Sequence, residues 1–260
     1  MTEAKRPSDP SPLPQIGQLT IAEILAALSA GWYDFKTAPG FGLFFSAVYV
    51  VGGFFLLFLG AGTVAWTLTV SLGFPLVAPF AAVGLYEVSR RLEAGERLIW
   101  RDILGVVFRE KDRQIPWMGA IILIYFLFWT FLAHMVFALF MGATALINIS
   151  SSVDSFLTPR GIAMIFTEMA MGGVVAFVLF SLTVVSLPLL LEREVDFVSA
   201  MLLSFRTVQQ NFLPMLVWAA IIAAITILAM IPMFLGLFVA LPVLGHATWH
   251  LYRRALYDPI

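Results

Sequence analysis

Two histidines four residues apart are the side chains whose type and spacing come closest to a ligand-binding site. His246 and His250 share one face of a predicted helix, and such a pair can supply two ligands to a metal ion or to haem. No third histidine or carboxylate follows at a typical ligand spacing. Trp249, Tyr252 and Arg253 beside them are typical of a membrane interface. We therefore expect an interfacial pair without a metal or cofactor, and keep haem or metal binding as the alternative.

Two ionisable residues inside apolar stretches form a second candidate site. His134 lies in the third predicted membrane span and Glu168 at the outer end of the fourth, and an ionisable group there is a functional candidate because a charge in lipid is costly. They could pair across adjacent helices as an intramembrane polar pair. Because both lie toward the outer ends of their spans, contact with water at the interface is the simpler interpretation.

The rest of the chain lacks a recognisable catalytic set. We find no nucleophile elbow, phosphate-binding loop, dinucleotide fingerprint or zinc-protease motif. Cysteine is absent, which excludes disulfides, thiolate metal sites and iron–sulfur clusters. The formal net charge of −1 gives no reason to expect a nucleic-acid partner. These observations favour a protein that is not an enzyme.

The composition indicates that lipid is the solvent of this chain. Hydrophobic residues make up 61% of it and charged residues 12%, whereas an ordinary soluble domain is about 25% charged. The mean hydropathy is +0.95. There is too little polar surface to cover a water-soluble globule, so membrane lipids, and other inner-membrane proteins, are the expected partners.

Three long stretches without charged residues, 37–86, 114–153 and 207–252, and a shorter one, 169–191, define the predicted membrane domain. Each of the long stretches exceeds the roughly 20 residues that one span requires, so we place two spans in the first and the last of these. Turns are predicted at residues 60–63 and at Pro232. The predicted spans are about residues 41–59, 64–86, 117–141, 169–191, 213–231 and 233–251. A polar tail of residues 1–15 is predicted to be disordered, residues 16–255 form a single domain, and residues 256–260 form a C-terminal tail.

Three amphipathic segments precede these apolar stretches. The first begins with a predicted capping box formed by Thr20 and Glu23. The second, residues 87–113, interleaves acidic and basic side chains, and a separate polar outer loop at residues 148–155 follows the third span. We interpret it as a solvated helix with local ion pairs, and a specific site for anionic lipids is the alternative. The third covers residues 192–211.

Basic residues predict the orientation, and a repeat is visible in the pattern. Every lysine and arginine except Arg160 lies on one side of the predicted spans, which places both termini in the cytoplasm.

Aligning Pro39, Pro116 and Pro214 gives three units, each a surface helix followed by a transmembrane hairpin. The predicted fold is thus all-α, a polytopic six-helix transmembrane bundle with three cytoplasmic amphipathic helices.

The chain resembles a known family of bacterial multi-pass membrane proteins. The residues that carry the resemblance are GWYDF at 31–35, AP at 38–39, GLFF at 42–45, PFAAVGLYEVSRR at 79–91, PWM at 116–118 and LGHATWHLYR at 244–253. They are similar to the family catalogued as domain of unknown function 2189, over about residues 16–255. The resemblance implies an inner-membrane protein. It implies no activity and no site residue.

The functional expectation is a non-enzymatic accessory, scaffold or assembly component of the inner membrane. A transporter or lipid-handling protein is the first alternative, and it predicts a cavity at mid-membrane near Pro75, Pro188 and Pro242. The haem or metal protein that uses His246 and His250 is the second alternative.

Overall fold

The computed structural model describes residues 13–58, 64–110, 113–142 and 156–257 of the chain. They form ten α-helices and one pair of short strands, so the predicted all-α class is confirmed. The helices are α1 (Ile21–Thr37), α2 (Pro39–Phe58), α3 (Val64–Glu93), α4 (Trp100–Glu110), α5 (Ile115–Met141), α6 (Pro159–Thr183), α7 (Ser186–Glu192), α8 (Phe197–Gln210), α9 (Phe212–Met230) and α10 (Leu237–Ala255). The strands β1 (Gln15–Ile16) and β2 (Leu256–Tyr257) pair antiparallel.

Three segments are long and apolar enough to cross a membrane. They are α5, the joined pair α6 and α7 (Pro159–Glu192), and α9. The helices α1 and α2 bend by 102° where they meet, and count as a fourth candidate if the pair is one span. The described chain is therefore a membrane protein with three or four candidate spans, and the number six stays a prediction.

Helix α10 forms the centre of the protein. It packs against α1, α2, α3 and α9, and most of its side chains are buried. The contact with α1 depends on Gly31, because a Cβ atom there would lie 2.5 Å from the backbone nitrogen of Ala247 and 2.6 Å from the carbonyl oxygen of Val243. Only glycine allows the two helices to approach so closely.

Several hydrogen bonds fix the segment that leads into α1. The predicted capping box is confirmed: Thr20 Oγ1 accepts from the backbone N–H of Glu23, and Glu23 accepts from the backbone N–H of Thr20. Upstream, the buried Asn211 side chain accepts from the Leu19 N–H at 2.6 Å and donates to the Gly17 carbonyl at 2.9 Å. The strand pair also includes Gln15 and Leu256–Tyr257, so ordered structure extends slightly beyond the predicted domain limits.

The amphipathic helix α8 leaves part of its apolar side chains exposed. Ala200, Leu203, Ser204, Thr207 and Val208 are buried, whereas Leu202 and Phe205 are exposed. Helix α1 behaves similarly, with Leu25 and Trp32 exposed. Such outward apolar side chains suit a helix that lies at a lipid surface.

The predicted fourth span, 169–191, is not one uninterrupted helix. It begins earlier, with α6 at Pro159, and breaks at Val185 before α7. The hydroxyl of Ser204 accepts from the Val185 N–H at 3.1 Å and donates to the Ser181 carbonyl at 2.8 Å. It thereby inserts into the hydrogen bond that a continuous helix would make between these two residues. Pro188, which lacks a backbone donor, lies just beyond the break.

The turn between the last two predicted spans is longer than Pro232 alone suggested. Helix α9 ends at Met230, next to the predicted boundary at 231, whereas α10 begins at Leu237, later than the predicted 233. Met233 and Phe234 adopt positive φ angles of 51° and 64°. Gly236 closes the turn, since a Cβ atom there would lie 2.6 Å from the carbonyl oxygen of Ala229.

Some predictions lie outside the described residues. They are the disordered tail over residues 1–12, the first hairpin turn within residues 59–63, the polar outer loop at residues 148–155, and the last three residues of the C-terminal tail.

Candidate functional site

A cavity of about 540 Å³ lies where the C-terminal ends of α3, α7 and α10 meet α4 and the start of α5. We call it the charged cavity. It is lined by the arginines Arg90, Arg109, Arg113 and Arg253, the glutamates Glu87, Glu93, Glu110 and Glu192, and also Ala94, Val106, Leu191 and Trp249. No hydroxyl, thiol or imidazole is present among these described lining residues. The wall therefore offers charge and hydrogen-bond donors, which suits binding more than covalent chemistry.

Glu87 anchors the α3 side of the charged cavity. Its side chain is 1% exposed, and it accepts from Arg90 Nε at 2.7 Å, from Arg90 Nη2 at 3.0 Å and from Arg91 Nε at 2.6 Å. These arginines stand three and four residues after Glu87, so all three side chains share one helical face. The buried carboxylate is thus fully compensated, and in return it holds the Arg90 guanidinium in place.

Glu110 ends α4 on the opposite side of the cavity. Its side chain is 4% exposed and accepts from Arg113 Nη1 at 2.9 Å. Burial raises the pKa of Glu110, and the nearby Arg113 opposes this effect only in part. The second terminal nitrogen of Arg113 lies 3.4 Å from Glu194. The carboxyl at this position therefore takes up a proton more readily than an exposed glutamate does.

Side chains at the C-terminal end of α10 donate hydrogen bonds to two glutamates of the cavity wall. Arg253 donates to Glu192 at 2.7 Å and to Glu93 at 3.4 Å. Trp249 Nε1 donates to Glu93 at 3.0 Å, and the Tyr252 hydroxyl donates to Glu192. The last turn of α10 is thereby joined to the ends of both α3 and α7.

Arg109 differs from the other three arginines of the cavity. It is exposed, and within the part of the chain that the structure describes it makes no hydrogen bond or ion pair. Its five N–H donors are thus free for a ligand.

The predicted histidine pair lies beside this cavity, and the protein encloses one of its two rings completely. His246 is completely buried, and its Nδ1 lies 2.8 Å from the Ser89 hydroxyl. Its Nε2, next to the Leu85 backbone, forms no well-aligned hydrogen bond. The close packing of α1 and α3 against α10 encloses the ring, an effect that periodicity alone does not reveal.

His250 has a different partner. Its Nε2 lies 2.8 Å from an oxygen of Asp34, a buried residue of α1. The two imidazoles are thus directed to separate partners on α3 and α1. Across the described ranges, which omit residues 111–112 among others, no group of three His, Asp or Glu side chains is arranged to hold a metal ion.

The predicted pair of His134 and Glu168 is brought to adjacent helices, α5 and α6. The two side chains are close enough to interact electrostatically, although no hydrogen bond or ion pair within 4.0 Å is found between them. His134 is exposed, and its Nδ1 contacts the Thr130 carbonyl one turn earlier at 2.7 Å. The pairing stays a prediction.

Sequence reasoning missed Asp34 and Ser89, the partners of the two histidines. A signal for Asp34 was present, because it follows Gly31 by three residues and precedes Phe35 on the face that α1 buries. A carboxylate on a buried helical face requires a partner.

The mid-membrane cavity predicted for a transporter is not the same as the charged cavity. Pro188 and Pro242, near which it was predicted, are buried and do not line the charged cavity.

Comparison with known proteins gives one result. The family model described as predicted integral membrane protein, DUF2189, matches residues 67–192, which include α3, α4, α5, α6 and α7. A search of curated proteins found no match, and a search of solved structures found none either. The matched region supplies most of the charged cavity and the two central candidate spans. Residues 67–192 of this chain thus match the DUF2189 family model of predicted integral membrane proteins.

Proposed function

We propose that this protein is a non-enzymatic scaffold or assembly component of the bacterial inner membrane. Its role is to pack against other membrane proteins through helices α5 and α6. The single observation that carries this proposal is the apolar surface of the α5–α6 hairpin, which little of the chain itself covers.

Helix α5 buries few of its side chains completely. Only 6% of the residues in its most apolar stretch are fully buried within the protein, compared with 44% for the α6–α7 segment. Phe128, Phe131 and Leu139 are at least 60% exposed, and Phe166 and Met169 on α6 are similarly exposed. Lipid tails alone can solvate such a surface. The feature that favours a protein partner is Gly173, because nothing lies within 4 Å of the Cβ position there, which leaves room for the backbone of another helix.

Site-specific crosslinking tests this role. A photo-reactive amino acid replaces Gly173 in cells, and the matched control replaces Ile227, which is 63% exposed on α9. We expect one protein adduct of constant mass from position 173 and lipid adducts only from position 227. Gentle solubilisation should recover the same partner at constant stoichiometry. Monomer alone in several detergents, without a protein adduct, would contradict the proposal.

The proposed topology has six spans with both termini in the cytoplasm. The distribution of basic residues supports it, with Arg160 as the exception. Since the chain contains no cysteine, single cysteines report sidedness cleanly. An impermeant maleimide should label Arg160→Cys in intact cells and Arg97→Cys only after permeabilisation. The reverse labelling pattern would overturn the topology.

The threefold repeat belongs to the same proposal. In each unit an amphipathic helix leads directly into an apolar helix, and Pro39, Pro116 and Pro214 all lie within the first three residues of α2, α5 and α9. In two of these units, a serine contacts the backbone of the second helix of the proposed hairpin, near its proline. In α10, Pro242 has no N–H for the Phe238 carbonyl, and Ser46 Oγ lies 3.5 Å from that carbonyl. In the α6–α7 segment, the Ser204 hydroxyl accepts from the Val185 N–H at the break before Pro188.

Transport or lipid handling is the second candidate function, and the charged cavity favours it. A cavity of about 540 Å³ with four arginines is large enough for a lipid headgroup or a small solute. Mass spectrometry of lipids that co-purify from native membrane tests this function. Enrichment of one lipid class over the bulk membrane is expected, and a bulk-like composition would argue against it.

Haem or metal binding by His246 and His250 is the third candidate. Its support is the four-residue spacing of the two histidines in the sequence and the Nε2 atom of His246, which has no hydrogen-bond partner. An absorbance spectrum and metal analysis of purified protein test it directly. A colourless sample without metal rejects this candidate.

A further inference from the structure

We propose that the charged cavity binds a phosphate group, of a lipid headgroup or of a small soluble ester, with Arg109 as its principal cation. The inference goes beyond the scaffold role and concerns a different part of the molecule. The crosslinking experiment at Gly173 and the binding experiment below can therefore fail independently.

The first step is the charge balance of the cavity wall. Each of its four glutamates already has a cationic partner: Glu87 has two arginines, Glu110 has Arg113, and Glu93 and Glu192 share Arg253. The lining holds four arginines and four glutamates, so it carries no net charge. Among the described lining residues, Arg109 is the arginine whose N–H donors are not hydrogen-bonded to a carboxylate, although its charge also acts on Glu110.

The second step concerns hydrogen-bond donors. Arg90 uses Nε and Nη2 on Glu87, and its Nη1 lies 3.6 Å from Glu96, beyond hydrogen-bond distance. Arg90 therefore keeps donors free while Glu87 holds its plane in position. Arg109 contributes a further five. Guanidinium donors that line a cavity match the oxygens of a phosphate group.

The third step is the location of the cavity. Arg109 stands next to Phe108, which is 66% exposed, and the cavity adjoins the start of α5, where Trp117 is 60% exposed. Exposed aromatic side chains beside arginines are typical of the headgroup level of a bilayer. A phosphate from a membrane lipid can reach this position, and so can a soluble ester from the adjoining water.

Binding to the purified full-length protein in detergent tests the proposal. The probes are dihexanoyl phosphatidylglycerol and sn-glycerol 3-phosphate, measured by calorimetry. The test variant is Arg109→Gln, and the matched control is Arg101→Gln, an exposed arginine of the same helix that does not line the cavity. Loss of a charged hydrogen-bond donor should weaken binding about tenfold in Arg109→Gln, and less than about twofold in the control.

A second variant tests the cavity without changing charge. Ala94 lines the cavity and is exposed at the turn after α3, so Ala94→Trp should narrow the mouth and leave the fold intact. Circular dichroism and size-exclusion chromatography check that each variant is folded. We expect Ala94→Trp to weaken binding at least as much as Arg109→Gln.

The pattern of binding also identifies the source of the phosphate. Binding of the lipid alone, dependent on Arg109, supports the site and assigns it to a headgroup. Binding of both probes supports the site and assigns it to soluble esters as well. No binding of either probe, or equal weakening by Arg109→Gln and Arg101→Gln, overturns the proposal.

Discussion

The charged end of the bundle and the α5–α6 hairpin are held together by opposite means. At the charged end, Glu87, Glu110 and His246 are buried, and each is matched by a specific partner on the same or a neighbouring helix. In the hairpin, most side chains are apolar and outward-facing. Its one cross-helix hydrogen bond among the described side chains runs from the Tyr125 hydroxyl to the Val175 carbonyl at 2.7 Å.

This contrast teaches where the chain is sensitive to change. Buried polar groups require specific partners, because an unpaired one costs free energy in a medium of low dielectric constant. Apolar side chains that face lipid can be exchanged for others of similar hydrophobicity, since the tails are as apolar as leucine. We therefore expect substitutions at the charged end and around α10 to destabilise the protein, and equivalent ones on the outer face of the hairpin to be tolerated.

The largest effect is expected from Gly31→Ala. The added methyl group would overlap the backbone of α10 at 2.5 Å, and backbone cannot move aside as a flexible side chain does. We expect a loss of about 3 kcal/mol in the free energy of unfolding, measured by SDS titration in mixed micelles. Gly173→Ala is the matched control in the hairpin, where the methyl group meets nothing within 4 Å. Equal destabilisation by the two variants would contradict the expected difference in sensitivity between the α1–α10 contact and the α5–α6 hairpin.

Glu87→Gln should rank second. It keeps the shape of the side chain but leaves Arg90 and Arg91 without their buried countercharge. Because both arginines are partly exposed, we expect about 2 kcal/mol of destabilisation in the same assay, less than for a fully buried pair. Glu96→Gln, at an exposed glutamate with ion pairs of 3.6 Å and 3.7 Å, should change stability by less than about 0.5 kcal/mol. A result in the reverse order would contradict the assignment of Glu87 as the anchor.

Ser204→Ala sharpens the comparison at the boundary between the two regions. Without the hydroxyl, the buried Val185 N–H loses its acceptor at the helix break. We expect about 1.5 kcal/mol of destabilisation. Ser29→Ala, an exposed position on α1, is the control and should differ from the parent by less than about 0.5 kcal/mol. An unchanged stability for Ser204→Ala would mean that the helix closes across the break.

The smallest effect is expected at Asp196, which caps α8. The hydrogen bond from Ser199 lowers the pKa of Asp196, so its stabilisation is present above the ordinary Asp pKa of about 3.9 and is lost as the pH falls through the lowered value. Asp196→Ala should cost about 1 kcal/mol at neutral pH and less in acid. Asp196→Asn retains a capping side chain and should lose only this pH dependence. Unfolding curves recorded at several pH values check both variants.

Much of the helical organisation was predictable from local patterns. The capping box of Thr20 and Glu23 needs only three residues of sequence, and the structure confirms it. The long apolar stretches predicted α5 and α9 nearly to their ends, because twenty apolar residues have few other stable states in lipid. The break at Val185 was not predictable in this way, since it depends on a serine that lies 19 residues later on another helix.

The candidate site shows the same division. Alternation of charge marked residues 87–113 as an ion-paired segment, and Glu87, Arg90 and Arg91 pair within one turn as the spacing indicates. Their assembly with Glu192 and Arg253 into one cavity joins residues more than a hundred positions apart. Likewise, the four-residue spacing placed His246 and His250 on one face, but nothing local pointed to Ser89 and Asp34 as their partners.

Composition and periodicity were thus sufficient to infer that lipid surrounds the chain, that its fold is all-α, and where the apolar helices approximately end. These properties depend on hydrophobicity and on neighbours within one or two turns, and both are written in the linear order of the residues. Which polar groups become buried, and with what partner, follows from how closely α1 and α3 approach α10. That distance is set by glycines and by contacts between remote helices, so it exists only once the chain has folded.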